Sequence, residues 1–442
     1  MGEPAENLEH ADAGFRRVLK NIGWLLGGKG FGAVCSLVYL AIQARSLGIK
    51  DFGHFSLIFG TAQAFVAIAG FQTWQTIVRF GAPLTVSGAW DRFGRLAVLG
   101  ALIDFSGAIG GCLLAAIVFY VFGAALDLNP AYIDPAFLFV CALIWARGSA
   151  AVGILRVLDR YDLAVWVGAV TPAARLGAAV AIWLSGASVE RFLLAWAVIE
   201  IATALLLWLV AWRAGGTALR LSHAMDWRTT LAEHPGIVRF LGINSLSTSV
   251  VAVLQQGPLL AVGYFLGTSA AGVYRIADQL AKGLSKLTTL IAQSLYPEVN
   301  RQRHSASGEA FRKLIRQINV MVLVAGVSVV ALSTLLGPQL LGLIGGGAFA
   351  RGGAILIPLS LGAAFELASV TYEPVLHASG HTIYPLYGRL LAVGAIALGI
   401  VLFVDHGPVA VGWVVAGGMA ASYAALSAMC YFVLREMAAG EE

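Results

Sequence analysis

Twelve times along this chain of 442 residues an apolar run of about 20 residues recurs, the length a helix needs to cross the hydrocarbon core of a bilayer. Backbone N–H and C=O groups find no partners in lipid, so runs this long must satisfy them internally, as helices do. The predicted spans lie near 22–44, 54–78, 96–122, 136–156, 163–184, 191–212, 240–266, 271–295, 317–338, 352–376, 386–404 and 409–433. With 59% hydrophobic and 12% charged residues and a mean hydropathy of +0.81, the apolar surface exceeds what a soluble core can hide. The expected fold class is an all-α polytopic membrane protein.

Charge distribution orients it. Residues 1–15 are polar and acidic, Arg16, Arg17 and Lys20 follow, and the first apolar run is too long for a signal peptide and lacks a cleavage site. That run is expected to stay as a helix with the N-terminus in the cytoplasm, and twelve crossings return the C-terminus to the same side. The count of Lys and Arg agrees: of 29, the segments assigned to the cytoplasm hold 19, the outer segments four and the spans six. The net charge of +5 is thereby topogenic, and no basic soluble domain is present to bind nucleic acid. Cys35, Cys112, Cys141 and Cys430 all fall in spans without CxxC spacing and read as inert apolar residues. His377 and His381 straddle a Ser379-Gly380 break and make a poor metal pair. The run Gly23 to Gly30 begins like a phosphate-binding loop, but Gly30 stands where Ser or Thr must reach the metal, and no strand precedes it.

One span breaks the apolar rule. AGVYRIADQLAKGLSKLTTLIAQSLYP, 271–297, carries Arg275, Asp278, Lys282 and Lys286 at spacings of three, four and four, which stacks them on one helical face. A charge at the bilayer centre costs roughly 2.5–3.5 kcal/mol even on lenient scales, so this face must turn toward protein or water. It reads as the lining of a polar cavity, with Asp278 holding Arg275 and Lys282 in place.

Other intramembrane charges need partners too. Lys29 lies among glycines 23, 27, 28, 30 and 32 in the first span, either facing the cavity or snorkelling to the cytoplasmic interface. Arg175 sits near the centre of the fifth span just after Thr171-Pro172, too deep to snorkel. Arg147, mid-way in the fourth, is expected to pair structurally with an acid drawn from Asp104, Glu200, Glu366, Glu373 or Asp278. Glu366 and Glu200 are also candidates for coupling to H+ or Na+. Gln255 and Gln256, beside Gly257-Pro258 in the seventh span, either contact sugar or only shape the helix.

The chain repeats itself. Leu47-Gly48, four residues, Gly53-His54-Phe55 opens the second span; Leu266-Gly267, four residues, Gly272-Val273-Tyr274 opens the eighth, 219 residues later. Six spans preserve direction, so the halves are expected to be parallel repeats, 1–212 and 240–442, joined by a cytoplasmic linker at 213–239. In that linker Asp226 is placed to cap a short helix through Glu233, either lying on the inner membrane surface or serving as a plain tether. The basic loop at 298–316 suits anionic headgroups.

The stretches RSLGIKDFGHFSLIFG (45–60) and LGTSAAGVYRIADQL (266–280), with Leu295-Tyr296-Pro297, resemble the polysaccharide transporter branch of the multidrug/oligosaccharidyl-lipid/polysaccharide exporter superfamily, which includes O-antigen flippases. The resemblance implies two six-helix lobes in a V around a central cavity. It also implies movement of a polyprenyl-pyrophosphate-linked oligosaccharide from the inner to the outer leaflet of a bacterial inner membrane, by alternating access, for surface polysaccharide biosynthesis. Family members line the cavity with basic residues; Lys29, Arg275 and Lys282 match by position and Arg175 by chemistry, and Lys286 is the next station on the same face. The implied partners are the lipid-linked glycan, membrane lipids and polysaccharide polymerase machinery, with no cofactor beyond a coupling H+ or Na+ and no enzymatic activity. A cation-coupled multidrug exporter of the same superfamily would call for an acid in the first span, which instead holds Lys29. A membrane glycosyltransferase would call for a large extramembrane loop with paired carboxylates, and the outer loops are short.

Overall fold

The computed structural model describes residues 31–122, 129–283, 308–369, 372, 376 and 383–439, and all regular structure among them is helical. In chain order the helices are α1 (Phe31–Ala69), α2 (Thr73–Val86), α3 (Trp90–Ala116, continued by a π-helical turn Ile117–Val121), α4 (Pro130–Trp145) and α5 (Ser149–Val157). Then come α6 (Tyr161–Ser185), α7 (Val189–Gly215), α8 (Trp227–Glu233), α9 (Ile237–Leu266) and α10 (268–283). The last four are α11 (Gly308–Gly345), α12 (Gly353–Ser369), α13 (Tyr384–Phe403) and α14 (Pro408–Ala439). Among the described residues ten stretches are long and apolar enough to cross a membrane. One of them, Gly32–Val86, has 55 residues and contains the second predicted span and the later part of the first, 32–44; the eighth predicted span, 271–295, lies only in part within the described residues.

Two compact units divide the chain: Ile42–Gly272, and Met1–Ala41 with Val273–Glu442. In the first, Ile77, Phe93, Ala150, Ile154 and Leu155 form a core between α2, α3 and α5. In the second, α12 packs against α11 and α14, and α13 against α14. Ser333 and Ser360 share a hydrogen bond of 2.6 Å between α11 and α12, and Tyr372, Leu376, Leu426 and Cys430 cluster nearer the chain's end. Helix α9 belongs to the first of these units. Ser249 Oγ of α9 donates to Ala67 O at 3.4 Å, and Ser245 Oγ accepts from Gln72 N at 3.4 Å.

The repeated motif makes the same corner twice. Gly48 has φ 73°, ψ 177° and Gly267 has φ 87°, ψ 172°, a left-handed backbone that side chains resist. Each corner packs on the other. A Cβ on Gly53 would collide with the Thr268 carbonyl, and one on Gly272 would come within 2.6 Å of the Ile49 carbonyl. Thr268 follows Gly267 and Ile49 follows Gly48, so the relation is reciprocal.

Two spans read from the sequence as continuous are broken. The helical run that begins after Gly48 stops at Ala69 and restarts at Thr73; the fourth span stops at Trp145 and restarts at Ser149. Glycines at 70 and 148 and the polar residues Gln72, Thr73 and Arg147 weaken both helices at these points. The freed backbone groups need partners within protein. Those partners build the site described next.

The linker is a docked element. Residues Leu221–Asp226 form a 3-10 turn and Trp227–Glu233 a short helix, with Asp226 at its N-cap position but no side-chain cap. Glu233 accepts from Arg95 at 2.8 Å and Arg92 at 3.2 Å, both at the start of α3, and His234 stacks on Phe80. Burial raises the Glu233 pKa, but the hydrogen bond from Arg92 and the charges of Arg95 and Arg92 outweigh it and hold the carboxyl below its ordinary value.

Candidate functional site

Helix α10 carries the charged stripe. Its apolar residues Ala271, Tyr274, Ile276, Ala277, Leu280 and Ala281 are buried, and so are Arg275 and Asp278, 7% and 8% exposed. Lys282 Nζ donates to Asp278 Oδ2 at 2.8 Å, an i,i+4 pair with the acid on the N-terminal side, the favourable order. The Lys282 side chain keeps 29% of its surface exposed. Arg275 stands one turn before Asp278 on the same helix. The stripe retains a net positive charge, graded from buried Arg275 to accessible Lys282.

Arg175 has a partner on another helix. Its Nη2 donates to Glu200 Oε1 at 2.6 Å, joining α6 to α7. Its guanidinium lies over the rings of Trp196 and Phe59 at 5.5 and 5.6 Å. One turn away Thr171 and Thr203 share a hydrogen bond of 3.2 Å across the same two helices. The structure thereby joins two residues the sequence reading put in separate roles, Arg175 as a substrate cation and Glu200 as a coupling acid. Desolvation explains it: each charge is cheapest where the other stands.

Arg147 and Asp104 answer the two helix breaks. Arg147 sits between α4 and α5 and donates to Val66 O, near the C-terminal end of α1, at 2.5 Å. Asp104 on α3 accepts from Thr73 Oγ1 at 2.7 Å and from Ala150 N at 2.8 Å, serving the first turns of α2 and α5 together. Ser149 Oγ in turn accepts from Trp74 N at 3.2 Å. Among the acids offered for Arg147, Asp104 is the one that shares a small cavity with it, lined by Val66, Ala69, Gly70, Asp104, Ala108, Ile144 and Arg147. Sequence reasoning missed Thr73 and the Ala150 amide; Gly70 and Gly148 were the signal.

The remaining candidates are dispersed. Gln255 is exposed on α9, whereas Gln256 turns its Oε1 toward Gly60 of α1, where it is buried without a hydrogen bond. Glu366 is exposed on α12. Lys29, Lys286, Glu373, His377 and His381 lie outside the described residues. Among the described residues no three His, Cys, Asp or Glu side chains gather to hold a metal.

Residues 18–303 match the model of the family described as "Polysaccharide biosynthesis protein". The chain belongs to this polysaccharide biosynthesis family. A curated relative, "Inner membrane protein YghQ" of Escherichia coli (strain K12), is 26% identical over 306 residues, covering 67% of this chain and 84% of the relative. Among solved structures, an inward-facing multidrug resistance MATE family transporter of the MOP superfamily superposes with TM-score 0.66 at 16% identity, over 92% of this chain and 95% of that one. The lipid II flippase MurJ superposes with TM-score 0.65 at 13% identity, over 90% and 85%. This family member therefore shares its fold with those two structures and is a multi-pass membrane protein.

Proposed function

We propose that the protein is a flippase that moves a polyprenyl-pyrophosphate-linked oligosaccharide from the inner to the outer leaflet of a bacterial inner membrane by alternating access between two six-helix lobes. The observation that carries this reading is the stripe on α10, where Arg275 and Lys282 stand either side of one carboxylate within the eighth predicted span. A pyrophosphate crossing hydrocarbon needs successive cations, and a partly neutralised set binds without trapping. Lys29 and Lys286 extend the path, with Gln255 offering an exposed amide to sugar. Arg175, paired with Glu200, braces α6 against α7 in this reading. The polysaccharide biosynthesis family, the MurJ-like fold and the inner-membrane relative support the same substrate class and place. Both termini are cytoplasmic in this reading, and polysaccharide polymerase machinery receives the product.

The test is leaflet-resolved quantification of polyprenyl-linked oligosaccharides in cells with and without the gene. Accumulation on the cytoplasmic side, with loss of surface polysaccharide, is expected. Unchanged lipid-linked sugars with new sensitivity to cationic drugs would replace this reading by a multidrug exporter, which the equally good superposition on a MATE transporter makes the alternative.

A further inference from the structure

The charge at the helix breaks has no part in the pyrophosphate path, and its surroundings are unusual. Asp104 lies near the middle of the 32-residue span Trp90–Val121, and both its oxygens are met by donors from other helices, Thr73 Oγ1 at 2.7 Å and Ala150 N at 2.8 Å. Neither α2 nor α5 has a side-chain cap at its own N-cap residue, so Asp104 and Ser149 supply what the breaks removed. Arg147 faces the same small cavity and is bound to Val66 O. It reaches that carbonyl because residue 70 is glycine; a Cβ there would overlap the guanidinium.

We infer that Asp104, held between Thr73, the Ala150 amide and Arg147 at two intramembrane helix breaks, is a site at which a proton is bound and released during the transport cycle. A metal cation fits poorly. The Ala150 N–H aimed at the carboxylate and the guanidinium of Arg147 in the same cavity both oppose a cation, and Arg147 already binds the Val66 carbonyl. A proton asks for less. It adds to Oδ1 from water, and the Thr73 hydroxyl, both donor and acceptor, turns from giving a hydrogen bond to receiving one. The carboxyl is then neutral and still partnered. The anion at the starts of α2 and α5 is gone, and Arg147 loses its counter-charge, so proton occupancy and the order of both breaks change together.

Among the described residues the titratable groups on the neighbouring elements are engaged elsewhere. Arg79 and Arg156, on α2 and α5, are stacked on Phe240 and Trp74. Asp91, Arg92 and Arg95 engage His223 and Glu233 of the linker at the start of α3, and Arg95 is nine residues from Asp104, about 13 Å of helix. Tyr120 and Asp134 pair at the other end of the span. Cys112 on α3 and Cys141 on α4 lie two turns beyond Asp104.

The inference rests on the transporter reading for its role in a cycle, but the test needs no substrate. Infrared difference spectra of the full-length protein in lipid vesicles, recorded on acidification, are expected to show a carboxyl C=O band that shifts in Asp104→Glu and is absent in Asp104→Asn. Hydrogen exchange at residues 146–152, corrected for the intrinsic effect of pH, is expected to quicken roughly tenfold on acidification, the loss of one charge-assisted hydrogen bond, and to be fast and insensitive to pH in Asp104→Asn. A band that survives Asp104→Asn overturns the proton site. A band that depends on Asp104 with no change in exchange overturns its link to the helix breaks. Should Asp104→Asn not reach the membrane, Thr73→Val replaces it; a displaced band midpoint is expected, and an unmoved one overturns the assignment. Lipid-linked sugars unchanged on gene deletion would defeat the flippase reading and leave these results standing.

Discussion

Two regions of this molecule hold charge inside a membrane, and they do so differently. In the unit Ile42–Gly272, Asp104, Arg147 and Arg175 have partners on other helices, 25 to 81 positions away in sequence. In the unit that begins at Val273, Asp278 and Lys282 are partners four positions apart on one helix. The distant pairs tie helices together; the local pair leaves its helix as a graded charged surface with Lys282 accessible. The first arrangement suits a rigid or switching frame, the second a path along which a ligand is handed on.

The comparison can be broken at its functional side first. Lys282→Glu puts a second anion one turn from Asp278 and is expected to abolish glycan export at unchanged protein level. Lys286→Glu is expected to be tolerated if that residue faces only the cytoplasmic mouth. Normal export by Lys282→Glu would remove the stripe from the path.

Next comes the frame. Glu200→Gln removes the carboxylate that meets the Arg175 guanidinium, 11% exposed, and is expected to cost about 2–4 kcal/mol, read as a fall in Tm of the purified protein, with partial recovery in the charge swap Arg175→Glu/Glu200→Arg. An unchanged Tm would make the pair as dispensable as a surface one.

Gly53→Ala forces a methyl onto the Thr268 carbonyl, backbone against backbone, and is expected to destabilise by about 1–3 kcal/mol. Gly110→Ala, where a Cβ meets open space, is the control and should be neutral. Equal behaviour of the two would dissolve the reciprocal corner.

The smallest effect belongs to the linker. The folded pKa of Glu233 lies below its unfolded value, so its contribution is present above the ordinary Glu value of about 4.3 and is lost as pH falls through the folded value. A partly exposed pair contributes below about 1 kcal/mol, and limited proteolysis within 213–239 is expected to quicken in acid in the native chain and to be fast at all pH in Glu233→Gln.

What could be read from sequence follows from the range of the forces involved. Spans were legible because lipid rewards any 20-residue apolar run wherever it sits, and the corner because Leu-Gly, four residues, Gly repeats in linear order with a backbone that glycine alone adopts easily. The Asp278–Lys282 bond was legible because four residues is one helical turn. The breaks at 70–72 and 146–148 were not, since Gly70 and Gly148 weaken a helix without saying whether a neighbour will exploit it. Asp104 does so from α3, and the Arg175–Glu200 pair likewise depends on α6 lying beside α7. Propensity and hydrophobic length are properties of a segment and are written in its residues. Which carboxylate answers which cation depends on desolvation and on distances across helices, and these exist only once the helices have packed.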